Sequence, residues 1–152
     1  METTSFAEIE SEFIERVHRM VWCNAATIDT KNRPRSRVLH TIWEGSTGWA
    51  ATRRHSLKAR HLEHNPYVSL AYIADIAKPV YVDCTAQWED DPASKQRIWE
   101  MFGTAPPPLG YDLKMIWESF DSPDYGVLKC TPWRIELFDI ANRENPRKVW
   151  RR

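Results

Sequence analysis

Thr52-Arg53-Arg54-His55-Ser56-Leu57-Lys58-Ala59-Arg60-His61-Leu62-Glu63-His64-Asn65-Pro66 follows one apolar run, Trp49-Ala50-Ala51, and precedes another, Tyr67-Val68-Ser69-Leu70-Ala71-Tyr72. The reading is a strand that ends at Thr52, a basic turn, a short helix from Ser56 to His64 stopped by Asn65-Pro66, and a further strand. A helix start offers free backbone N–H groups and a partial positive charge. Ser56 stands where an N-cap is expected. Lys58 falls in the first turn, where a cation is poorly placed unless something negative binds nearby. Thr52, Arg53, Arg54, Ser56 and Lys58 together read either as a cradle for a phosphate or as a solvated basic turn.

Outward from this stretch the chain is rich in strands. Ser5 and Glu8 form a capping-box pattern ahead of Phe6, Ile9, Phe13, Val17 and Met20, which predicts a helix over residues 5–20. Val21 to Asp29 reads as a strand, Thr30 to Pro34 as a turn, and Arg35 to Glu44 as a second strand. Gly45-Ser46-Thr47-Gly48 signals a hairpin that returns through Trp49 to Thr52. That hairpin would set residues 41–44 against residues 49–52 and carry Arg35 and Arg37 toward the basic turn. Converging arginines are costly without an anion, which favours the phosphate reading.

Tyr67 to Ile73 and Pro79 to Trp88 are two more strands. Asp90-Asp91-Pro92 opens a helix to about Phe102. Gly103 to Pro108 reads as a stiff linker, Tyr111 to Phe120 as another helix, and Gly126 to Ile140 as a final strand broken or bulged near Pro132. About six strands with short connections and a few inserted helices suit a mainly β fold: a small antiparallel barrel with peripheral helices, one domain over residues 1–152.

Composition excludes several classes. Lys plus Arg equals Asp plus Glu at 21 each, so no global charge favours nucleic acid or an acidic membrane surface. The start is acidic rather than apolar, and no run approaches the ~18 apolar residues of a membrane span. Cys23, Cys84 and Cys130 are scattered, as expected of reduced, structural thiols in a cytoplasmic protein. His61 and His64 share a helix face, but solvated or capping histidines are favoured over a metal site. No GxGxxG, Walker or GxSxG motif is present. No residue stands out as catalytic, so any redox activity must come from a cofactor. Trp88, Trp133 and Trp150 are candidates to wall a planar ligand, with core or interface packing the favoured reading for each.

The ordered series Pro34-Arg35-Ser36-Arg37-Val38-Leu39, Trp49-Ala50-Ala51-Thr52, Ser56-Leu57-Lys58-Ala59-Arg60-His61-Leu62 and Asn65-Pro66-Tyr67-Val68-Ser69-Leu70 resembles the pyridoxamine 5′-phosphate oxidase-like family of flavin-binding split barrels. It is also similar to the branch of that superfamily that uses the deazaflavin coenzyme F-420. The resemblance implies a six-stranded antiparallel split β-barrel with flanking helices. It further implies a homodimer with cofactor at the subunit interface, FMN or deazaflavin as that cofactor, and hydride transfer to or from a small conjugated substrate. Carried over by position, Arg37 would contact the cofactor phosphate. Val38 and Leu39 would offer backbone groups to the ring, Ala51 and Thr52 would line the site, and Ser56 and Lys58 would hold the phosphate. Leu57 stands where members that make pyridoxal phosphate often carry Arg, and Arg53 or Arg54 would substitute for the lost ligand. The closing strand has Arg134-Ile135-Glu136 in place of the oxidase's Arg-x-His, so the name-giving reaction is not expected. A protein that stores or carries flavin, deazaflavin or haem without turnover is the alternative.

Overall fold

Alternation of apolar and polar residues generates the sheet, and in the computed structural model, which describes residues 1–152, its strands curl around one apolar interior. In chain order the elements are β1 (Glu2–Thr3), α1 (Glu10–Met20), β2 (Trp22–Ile28), β3 (Pro34–His40), β4 (Ile42–Glu44) and β5 (Thr47–Arg53). There follow α2 (Leu57–His64), β6 (Tyr67–Tyr72), β7 (Val80–Trp88), α3 (Pro92–Thr104), β8 (Tyr125–Phe138) and β9 (Arg147–Arg151). All six anticipated strands are present within a sheet of nine. The extra strands are β1 and β9, which pair in parallel with each other, and β4, which is the far half of the second anticipated strand. Arg147–Arg151 was missed because only Val149 and Trp150 in it are apolar; its pairing with β8 buries both.

The capping box forms as the sequence predicts. Glu8 Oε1 accepts from Ser5 N–H at 2.9 Å and Ser5 Oγ accepts from Ala7 N–H at 3.3 Å, although they open a 3₁₀ turn (Phe6–Glu8) ahead of α1. Asp91 caps α3 by accepting from Ser94 N–H at 2.9 Å, and Pro92 takes the first turn. The helix expected over residues 111–120 is absent: only the 3₁₀ turn Leu113–Met115 forms there. Trp117 and Leu113 are instead buried in a loop packed on the outer side of β5 and β8 with Ile98 and Phe102 of α3. Trp133 is an unpaired residue in β8, since Asp83 stands opposite Arg134 and Cys84 opposite Pro132. This is the bulge anticipated near Pro132.

Closure of the barrel depends on a break at Thr41. Before it, β3 pairs with β2, with Arg37 opposite Ala25; after it, β4 pairs with β5, with Ile42 opposite Trp49. The expected continuous hairpin is therefore corrected: Trp43 faces Gly48 and Glu44 faces Thr47, two residues from the register read off the turn. Gly45 takes φ +53° in a tighter turn than the four-residue loop assumed. The chain runs β3/β4–β2–β6–β7–β8–β5 and back to β4, leaving β3 and the end of β5 without ladder bonds between them. That unpaired seam is the split.

Thr41 is fully buried at the break and hydrogen-bonds Tyr72 Oη, which also accepts from Trp43 Nε1 at 2.8 Å. The Trp43 N–H donates to His18 Nε2 at 3.0 Å, tying the break to α1. Tyr72 is itself fully buried, so its hydroxyl satisfies two polar side chains that have no access to water. Tyr72→Phe should therefore lower the unfolding free energy by about 2–4 kcal/mol, measured as a fall in urea midpoint with an unchanged slope.

Candidate functional site

The unpaired seam leaves an open edge on each side. Pro34–His40 pairs only with β2, and residues 50–53 pair only with β8, although Cα atoms of β3 and β5 approach within 8 Å. The helix α2 follows β5 and lays His61 and Leu62 toward β2. Its N-terminal turn meets β3 at a cleft of about 370 Å³ lined by Arg35, Ser36, Arg37, Ser56, Leu57, Lys58 and His61.

Four of these side chains are basic. Lys58 is only 7% exposed, and its one hydrogen bond within the chain is to Ser56 Oγ at 3.5 Å. No carboxylate pairs with it. Burial, and then the charge of Arg37, lower its pKa from the usual lysine value to about 8, against a small opposing pull from Asp124. Arg37 also lacks a carboxylate partner. Its Nη1 donates to Thr27 Oγ1 at 2.6 Å and to the Ala25 carbonyl at 3.3 Å, and its Nη2 to His61 Nδ1 at 3.4 Å. Burial, then Arg35, draw its pKa down as well. His61 is pulled below the ordinary imidazole value by burial and by Arg37. Asp29, the acid that acts on His61, is committed to its own turn: it accepts from the Arg33 and Lys31 N–H groups at 2.9 Å, pairs with the Arg33 guanidinium, and reaches Arg35 only at 4.0 Å. These bonds, the Arg33 N–H foremost, hold its pKa to about 2.

The anticipated residues divide. Arg37, Ser56 and Lys58 converge on the cleft. Val38 is exposed on the open edge, whereas the Leu39 side chain lies in the barrel core, leaving only its backbone at the edge. Ala51 is buried under α3, and Thr52 is half-buried beside it on the open edge of β5. Ser56 has the extended backbone of an N-cap, but its hydroxyl makes no capping bond and faces Lys58 instead. Arg53 and Arg54 turn away from the cleft. Arg53 pairs with Asp124 at 2.7 Å, and Arg54 grips Asp90 through two bonds of 2.8 and 3.0 Å while stacking 4.7 Å from the Trp88 ring. Both guanidinium groups are thus paired with carboxylates outside the cleft lining. Gly126, opposite Thr52, keeps this stack close: a Cβ there would sit 2.7 Å from the Trp88 ring. Trp150 is a core residue against Phe6, and Trp133 projects from the bulge on the opposite side of the sheet from the core.

The sequence reading missed Thr27 and singled out His61 only as an improbable metal ligand. His61 had a signal, since it lies three residues after Lys58 on one helical face. Thr27 had none, because its place beside Arg37 arises from the β2–β3 register.

Among sequence families, the profile of pyridoxamine 5′-phosphate oxidase matches residues 9–138. The chain belongs to the pyridoxamine 5′-phosphate oxidase family. No curated protein matches the sequence. Among solved structures it is similar to a Clostridium acetobutylicum protein related to general stress protein 26 of B. subtilis. That match has TM-score 0.76 and 16% identity over 95% of this chain and 94% of that one. It is also similar to a pyridoxamine 5′-phosphate oxidase-related, FMN-binding protein of Nostoc punctiforme, with TM-score 0.67 and 13% identity over 91% and 86% of the two chains. An F420 reductase matches with TM-score 0.58 and 15% identity over 80% of this chain and 93% of that one. At these identities the likeness is one of fold, and it gives this member of the oxidase family the split barrel of its relatives.

The electrostatics of the cleft have a measurable consequence in the ligand-free protein. Lys58 titrates lower folded than unfolded, so the unfolded chain binds more protons between about pH 8 and 10.5, and stability rises with pH across that window. Lys58→Met removes the desolvated charge and should stabilise the ligand-free protein at pH 7 by on the order of 1–3 kcal/mol. It should also flatten the rise between pH 8 and 10.5, as read from denaturant midpoints across pH.

Proposed function

We propose that the cleft and the adjoining split hold the phosphate-bearing tail and ring of a flavin, FMN or the deazaflavin F-420, and that the protein is a cytosolic oxidoreductase acting on a small conjugated substrate. One observation carries the reading: Lys58 is buried beside Arg37 with no carboxylate to compensate either. A structural ion pair would include an acid. A buried and a half-buried cation beside a helix N-terminus are stable together when an anion joins them. Membership of the pyridoxamine 5′-phosphate oxidase family and the fold shared with an FMN-binding protein and an F420 reductase support a phosphate-bearing flavin as that anion.

When bound, the ring supplies the hydride chemistry. Arg37, Ser56 and Lys58 hold the phosphate. The open backbone edge at Val38 and Leu39, with Ala51 and Thr52 across the split, orients the ring and keeps water from it. Arg53 has its own carboxylate and lies outside this set. Oxidation of pyridoxamine phosphate is not proposed, because Leu57 supplies no phosphate ligand and Arg134 is held by Asp83 and Glu136.

A second copy of the chain completes the reading. The outer face of β2, β3, β6 and β7 exposes Trp22, Val38, Tyr67 and Tyr81, with Trp133 on the bulge beside them. A groove of about 300 Å³ lined largely by Ala26, Ile28, Pro34, Tyr67, Val68 and Trp133 crosses it. Exposed aromatics in one patch mark an interface, and the strand that bears Val38 and Arg37 ties this face to the cleft.

Two measurements test the proposal. Fluorescence titration should show near-stoichiometric binding of FMN or F-420. Lys58→Ala should weaken it by about 1.5–3 kcal/mol, and affinity should fall as pH rises past about 8, where free Lys58 loses its proton. Saturable binding of haem with no affinity for either flavin would favour the storage alternative. Light scattering should give a dimer that Tyr67→Lys combined with Trp133→Lys converts to monomer; an unaltered dimer rejects this face.

A further inference from the structure

Arg37 is aimed by three neutral acceptors. Thr27 Oγ1, the Ala25 carbonyl and His61 Nδ1 receive its N–H groups, and no carboxylate does. Thr27 is 1% exposed and His61 6%. A guanidinium only donates, so the Nδ1 atom that accepts from Arg37 Nη2 carries no proton. Thr27 Oγ1 lies 2.9 Å from that same nitrogen and accepts from Arg37 Nη1, so the hydroxyl hydrogen is left to donate to Nδ1. Both bonds fix His61 as the neutral imidazole with its proton on Nε2. The charged and titratable groups around this ring are Arg35 and Arg37 on β3, Asp29 just after β2, and His64 one turn away on α2.

One hydroxyl thus joins three elements: β2 through Thr27, β3 through Arg37 and α2 through His61. A carboxylate in the place of Thr27 or His61 would fix Arg37 equally well and cancel its charge. Neutral acceptors fix it and leave the charge for whatever enters the cleft. We infer that Thr27 and His61 are positioning residues for Arg37, holding its guanidinium toward the cleft with its full positive charge free for an anionic ligand. This rests on the reading of the cleft as an anion site, and it concerns a preorganised arrangement already present without ligand.

The test begins with the free protein. Long-range ¹H–¹⁵N spectra of the histidine side chains at pH 7.5 should show His61 with Nδ1 unprotonated and Nε2 protonated; an Nδ1–H tautomer or an imidazolium overturns the inference whatever the protein binds. Thr27→Val should then weaken binding of inorganic phosphate, followed by NMR titration, by about tenfold, and Thr27→Ser should restore it. FMN affinity should fall in parallel in Thr27→Val while that of riboflavin, which has no phosphate, stays unchanged. Equal phosphate affinity in wild type and Thr27→Val overturns the inference. A Thr27→Val variant that loses riboflavin and FMN alike also overturns it, since the effect is then general. Phosphate binding that depends on Thr27 in a protein with no affinity for FMN or F-420 leaves the positioning intact and removes the flavin reading.

Discussion

A buried Lys58 and a half-buried Arg37 with no acid between them are the constraint around which this molecule is arranged. Burial lowers the tendency of both to be charged; Arg37 adds to the effect on Lys58, and Arg35 to that on Arg37. Such a pair opposes folding of the ligand-free chain. It persists because the surrounding structure over-determines it: α2 is anchored by Leu62 in the barrel core, β3 by its seven-residue ladder with β2, and Arg37 by a hydroxyl, a carbonyl and an imidazole. Strain of this kind, maintained by packing elsewhere, is characteristic of binding sites.

The packing that maintains it is the barrel. Its interior is continuous from Ile9 and the α1 residues Phe13 and Val17 through Leu70, Val80, Val82 and Cys84 to Ile135 and Trp150. A second, smaller cluster under α3 holds β5 and β8 from outside through Phe102, Trp117 and Tyr125. Between these two bodies of apolar contact the strand at residues 34–44 changes partner at Thr41, and the change opens the seam. The hydroxyls of Thr41 and Tyr72 satisfy each other and the Trp43 indole there, so none of these three side chains lacks a partner at the break. An uninterrupted hairpin would have closed β3 on β5 and left no cleft for α2 to overhang.

Much of this was legible along the chain. Apolar runs, alternation and turn residues marked all six main strands, Asp91-Pro92 marked the start of α3, and Ser5 with Glu8 marked the approach to α1, because each signal is carried by neighbouring residues. Failures fell where long-range packing overrides local pattern. Tyr111 to Phe120 has the spacing of a helix, but Leu113 and Trp117 gain more by burial against α3 and β8 as a loop. Residues 147–151 are too polar to announce a strand and become one by pairing with β8.

The site divides in the same way. Local order in the sequence determined that a strand, a basic turn and a helix start follow one another, and so that Ser56 and Lys58 stand at a place suited to an anion; backbone geometry within ten residues suffices for that. Tertiary structure alone decided which other charges join them. Arg53 and Arg54, next door in sequence, are claimed by Asp124 and Asp90, which lie far along the chain. Arg37, Thr27 and His61 come together through the β2–β3 register and the docking of α2. Electrostatic partnership depends on distances of a few ångströms, and for residues this far apart in sequence those distances are set only when the barrel closes.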